Sequence, residues 1–114
     1  MPALTLSASF FKTAAGNEPV REWLKDDLSL AARRAIGADI KTVQEGWPLG
    51  MPLVRKLDAN LWEVRSDIPE GIARVLFTVV GAEMVLLHGF IKKSDKTPKN
   101  DLELARKRRN EVRA

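Results

Sequence analysis

The chain has 114 residues, of which 45% are hydrophobic and 30% charged, the length and balance of one ordinary globular domain. It contains no cysteine, which excludes a disulfide framework and a thiolate metal site, and no apolar run approaches the roughly 18–20 residues needed to span a bilayer. The net charge of +4 is unevenly placed: nine Lys/Arg stand against four Asp/Glu from His88 onward, and ten against eleven before it. A surplus confined to the last quarter points to a polyanionic partner, although a solvated basic helix would look the same. The opening MPALTLSASFFK has no basic segment ahead of its apolar stretch, which argues against a secretory signal. A single cytoplasmic domain over residues 1–114, without metal or cofactor, is expected.

The first element is a short edge strand over residues 4–12, ending near Gly16-Asn17. Asn17 can cap a helix over residues 18–28, where Pro19 is tolerated in the first turn and Val20, Trp23 and Leu24 recur at helical spacing. Ser29 can cap a second helix running to Glu45, with Ala32, Ile36, Ile40 and Val43 as its apolar stripe. Together they make a helical hairpin. Residues 46–52 are too rich in Gly and Pro for regular structure and read as a loop.

Three strands follow. Residues 60–66 alternate, placing Trp62 and Val64 on one face and Glu63 and Arg65 on the other. After a turn at residues 67–71, residues 72–80 put Val75, Phe77 and Val79 on one face and Arg74, Leu76 and Thr78 opposite. Gly81-Ala82 reverses the chain into residues 83–91, a strand apolar on both faces and therefore central. Asn100 with Glu103 fits a capping box for a last helix over residues 101–113. The order β-α-α-β-β-β-α describes an α+β domain with an antiparallel or mixed sheet, one face under the hairpin and the other partly open. Arg65 and Arg74, from consecutive strands, meet on that second face.

The stretches LWEVRSDIPEGIARVLFTV and LLHGFIKKSDKTP, followed by a basic helix, resemble the RelE/ParE toxins, and within them the phage-related HigB-like branch. The resemblance runs from about Leu53 to Arg109, and KKxxKTP (Lys92, Lys93, Lys96, Thr97, Pro98) is its most specific part. It implies the toxin of a type II toxin–antitoxin pair that enters the ribosomal A site and cuts mRNA without a metal. In such chemistry the 2′-hydroxyl attacks the adjacent phosphate, leaving a 2′,3′-cyclic phosphate and a 5′-hydroxyl. That reaction needs a base, an acid and cations for the transition state. The implied partners are a helix-turn-helix antitoxin, the ribosome and mRNA, with operator DNA reached only through the antitoxin complex and no membrane.

Arg65 and Arg74 match arginines of the superfamily's active surface, where a guanidinium can hold two phosphate oxygens; Arg65 could instead pair with Glu63 or Glu70. Lys92 and Lys93 lie where the last strand leaves the sheet, and alternation lets only one of them face the site. Lys93 is the candidate catalytic residue, while Lys92, Lys96 and Lys99 are candidate RNA contacts. His88 is the only histidine and a candidate base, set against a structural histidine bonded to backbone. Trp23 and Trp62 fit the core, and Trp47 in the loop stays open. Ala73 stands where the pattern has tyrosine, and the chain has no tyrosine at all. Acid–base work would therefore fall on lysine, His88 or a carboxylate such as Asp95. Two other readings stay open, a ParE-like inhibitor of DNA gyrase and a nucleic-acid-binding member without catalysis.

Overall fold

The structure is a computed structural model that describes residues 5–92 and 97–114. Its elements are β1 (Ser7–Phe10), α1 (Pro19–Asp26), α2 (Leu30–Gly46), β2 (Val54–Asp58), β3 (Leu61–Ile68), β4 (Gly71–Val80), β5 (Glu83–Lys92) and α3 (Lys99–Val112). The strands form one sheet in the order β1-β5-β4-β3-β2, with β1 parallel to β5 and every other pairing antiparallel. This is the expected α+β arrangement with one further strand.

That strand, β2, has the sequence VRKLD, whose alternation is broken by adjacent charges and by a register shift between Lys56 and Asp58. Two caps also differ from expectation. Asn17 closes a turn with Thr13, its N–H donating to Thr13 Oγ1 at 3.1 Å, so Glu18 becomes the cap of α1. The last helix begins earlier, with Pro98 as its cap, and Glu103 lies 4.0 Å from Lys99 Nζ instead of closing a box on Asn100. Ser29 does cap α2, accepting from the Ala32 N–H at 3.1 Å.

The helical hairpin covers one sheet face. Ala32, Ile36, Ile40 and Val43 of α2 and Val20 of α1 pack on Val64, Val75, Phe77, Met84 and Leu86. Trp47 belongs to this core: it is 9% exposed and set edge-on to Trp62 and Phe77, at centroid distances of 5.0 and 5.5 Å. Trp23 lies against Gly89, where an added Cβ would sit 2.4 Å from the indole ring. The glycine of LLHGF is therefore a packing requirement.

The opposite face is less open than the alternation alone suggests. Helix α3 lies across its Leu61–Leu76–Leu87 half, seating Ala105 on those residues, with Phe11 and Val85 beside them. A bulge in β5 pairs Leu76 with His88 but Phe77 with Leu86, so Leu87 is the extra residue. Leu87 joins the core under α3, and His88 also reaches α3, so both sit on the same face. Beyond the bulge the even residues His88, Phe90 and Lys92 occupy the face that odd residues hold before it.

Candidate nucleic-acid interface

The part of the α3 face beyond the Leu61–Leu76–Leu87 patch is built by the paired ends of β3, β4 and β5. Arg65 stands directly opposite Arg74, Arg74 opposite Phe90, and Ile72 opposite Lys92. Directly opposed residues share a face, so the two arginines meet as their strand phasing predicts. The bulge also puts Lys92 on that face. Lys93 and Lys96, like Asp95, lie outside the described residues.

The two arginines differ in environment. Arg65 is partly exposed. Arg74 is fully buried, with Nη1 3.1 Å from Glu63 Oε1, and Glu63 is equally buried. A charge taken out of water must be neutralised and hydrogen-bonded, and Glu63 does both. Its other oxygen accepts from Thr97 Oγ1 at 3.0 Å. The glutamate of LWEVR, the arginine of ARV and the threonine of KTP thus form one chain of polar contacts linking β3, β4 and the approach to α3. Sequence reasoning placed a possible glutamate partner beside Arg65 and did not pair Glu63 with Arg74. The register Glu63↔Leu76 puts that carboxylate one diagonal step from Arg74, a relation visible only once the strands are aligned.

His88 is partly exposed, with its side chain at 18%, and Nε2 lies 2.6 Å from Asp101 Oδ1 in the first turn of α3. Its ring stacks on Phe90 at 5.6 Å. An ionised carboxylate only accepts, so in this pair Nε2 carries a proton, and in the neutral ring Nδ1 is then the lone-pair nitrogen. No motif in the sequence marks Asp101, which is an acidic residue of the first turn of α3, three positions after Pro98.

Part of the basic surplus of the C-terminal quarter has an internal use. Arg106 Nε and Arg109 Nη1 donate to Asp58 Oδ2 at 2.9 and 3.0 Å, and Arg109 also reaches the Ala59 carbonyl. Hydrogen bonds from the Ala59 N–H and from Arg109 hold the Asp58 carboxyl at about 2, below its ordinary 3.8. Arg108 donates to the Leu87 carbonyl at 2.8 Å and lies over the Phe11 ring, and burial there lowers its guanidinium below the usual value. Arg113 donates to the Val79 carbonyl. Four arginines therefore fasten α3 to the sheet. Lys99 is different: its side chain is 85% exposed at the start of α3.

A second concavity adjoins the arginine pair. β2 runs beside β3 only as far as Val64, and one further bond joins the Arg65 N–H to the Leu53 carbonyl. Past that point Pro52 turns the chain away. This leaves an open cavity of about 550 Å³ lined by Ala35, Ala38 and Asp39 of α2, by Pro52 and Leu53, and by Arg65, Asp67 and Ile72.

No helix among the described residues is long and apolar enough to cross a membrane. Among curated proteins, none matches the chain significantly. The model of a family described as phage derived protein Gp49-like (DUF891) matches residues 22–110, from α1 to the last turn of α3. The chain belongs to this Gp49-like family, part of the RelE/ParE-like toxin superfamily of toxin–antitoxin systems, and its fold is consistent with the RelE-like one.

Proposed function

From this membership we propose that the protein is the toxin of a type II pair, a metal-free, ribosome-dependent mRNA endonuclease of the HigB-like branch, acting in the cytoplasm as a single domain. Its partner is a helix-turn-helix antitoxin that silences it and, as a complex, binds their operator. The observation that carries the reading is the Arg65–Arg74 pair in register on a sheet face shared with His88 and Lys92.

The roles follow from exposure. Arg65, partly exposed, takes the scissile phosphate and stabilises its growing negative charge. Arg74, neutralised by Glu63, supports Arg65 from below. His88 Nδ1 accepts the 2′-hydroxyl proton while Asp101 fixes the ring. The freed oxygen attacks phosphorus, and the departing 5′-oxygen takes its proton from Lys92, which shares the arginine face, or from Lys93 next to it in sequence. Lys96 and Lys99 contact the phosphate backbone. The burial of Arg74 favours one second reading, a member that binds RNA without cutting it.

Expression from a tight promoter with 5′-end mapping of cellular mRNA separates these. The endonuclease reading predicts growth arrest with cuts phased to codons, lost in Arg65→Ala and in one of Lys92→Ala and Lys93→Ala. Arrest without such cuts would leave the binding reading, and DNA-damage signalling in its place would favour a gyrase inhibitor. An adjacent gene of roughly 100 codons for a helix-turn-helix protein, one domain in length, would support the antitoxin assignment.

A further inference from the structure

The cavity beside β3 does not suit a phosphate. It carries two carboxylates, Asp39 and Asp67, against one guanidinium, Arg65. Phosphate would meet a net negative site there, whereas the neighbouring face offers Arg65 with Lys92. The remaining lining is small or apolar: Ala35 and Ala38 from one helix, with Pro52, Leu53 and Ile72 around them. Side chains this short leave room for a planar ring to lie against the helix. Its volume of about 550 Å³ is ample for a nucleobase with its sugar.

The polar groups define which base. Ionised carboxylates accept hydrogen bonds and donate none, so they select an edge rich in N–H groups. Guanine alone presents two adjacent donors, N1–H and N2–H, on its Watson–Crick edge. Uracil offers mainly carbonyl oxygens, which two carboxylates repel. A guanidinium plane stacks on a base and at the same time attracts the phosphate attached to it. A lysine or arginine from a bound peptide would satisfy the carboxylates too, but only a planar base also covers the face of the Arg65 guanidinium.

We propose that this notch is a base-reading subsite, selecting guanine next to the phosphate held on the arginine face, with Asp39 and Asp67 as the specificity-determining residues and Arg65 as the wall common to both sites. The proposal rests on RNA being the ligand of the arginine face, and it does not need that RNA to be cut.

The test uses the whole chain, 15N-labelled and titrated with 5′-GMP, 5′-AMP, 5′-CMP and 5′-UMP in turn. GMP should bind most tightly, with amide shifts centred on Ala35, Asp39, Leu53 and Asp67. Asp39→Asn and Asp67→Asn, both at the cavity wall and outside the core, should each erase about tenfold of the preference for GMP, the usual effect of losing one good base contact. Equal binding of all four nucleotides, shifts confined to Arg65 and Lys92, or a preference untouched by both variants would overturn the subsite. So would a Lys-rich peptide that moves these amides when GMP does not. In cells, 5′-end mapping of the same variants keeps the two ideas apart. Cleavage retained with a changed base preference supports the subsite, and cleavage with an unchanged preference refutes it. GMP selectivity in a protein that cuts nothing would overturn the nuclease alone.

Discussion

The two faces of the sheet are held by different forces. Under the helical hairpin, contact is almost wholly apolar: Ile36, Val43, Val75 and Phe77 are essentially inaccessible, and three aromatic rings interlock around Trp47. Under α3 a smaller apolar patch is ringed by charge, with Arg74–Glu63–Thr97 and His88–Asp101 toward one end and Asp58 with Arg106 and Arg109 toward the other. Non-directional burial tolerates repacking, whereas charge-assisted contacts depend on pH, on salt and on every partner being present. The hairpin side makes the fold. The α3 side carries the candidate chemistry, and its attachment is the conditional one.

The sharpest way to break this contrast is Glu63→Ala. It removes the Glu63 carboxylate from a fully buried Arg74 and should cost about 3–5 kcal/mol in urea denaturation. A loss under 1 kcal/mol would mean that the pair contributes little to the α3 face. Gly89→Ala probes the hairpin side, where the new methyl collides with the Trp23 ring. It should destabilise by about 1–3 kcal/mol, and Trp23→Leu in the same chain should relieve part of that. Thr97→Val removes a single hydrogen bond to a buried carboxylate and should cost about 1–2 kcal/mol, largely restored by Thr97→Ser.

The smallest effect concerns acid. Asp58 titrates at about 2 in the folded chain against an ordinary 3.8, so its contribution is complete above pH 3.8 and is lost as pH falls toward 2. Asp58→Asn should therefore lose that contribution at pH 7 and converge with the wild type as pH falls toward 2, which flattens the acid limb of the stability–pH curve in that window. Thermal melts across pH 2–5 read this directly. An unchanged acid limb would remove Asp58 as an anchor of α3.

What could be read from sequence follows the same division. The stripe Ala32–Ile36–Ile40–Val43 and the phasing of β3 and β4 are local periodicities, and they place the hairpin core and the Arg65–Arg74 register without further information. β2 escaped because its five residues follow a Gly/Pro loop and carry three charges. The bulge at Leu87 escaped because an inserted residue leaves no mark in a strand that is apolar on both faces, yet it decides that Lys92 shares the arginine face. The arginines of α3 read as a nucleic-acid patch because sequence cannot show that backbone carbonyls of Leu87 and Val79 and the Asp58 carboxylate lie beneath them. The pairing of Glu63 with Arg74 and the docking of Asp101 on His88 are likewise contacts between segments, invisible to any local pattern.

The proposed cleavage turns on the partly exposed arginine of the α3 face. Purified wild-type and Arg65→Ala chains, each incubated with translating ribosomes and end-labelled mRNA, test it most directly. Cuts in the reading frame, restricted to translated message and reduced by at least about 100-fold in Arg65→Ala, are the predicted result. Intact message with the wild-type chain, or equal cutting by both, would contradict it.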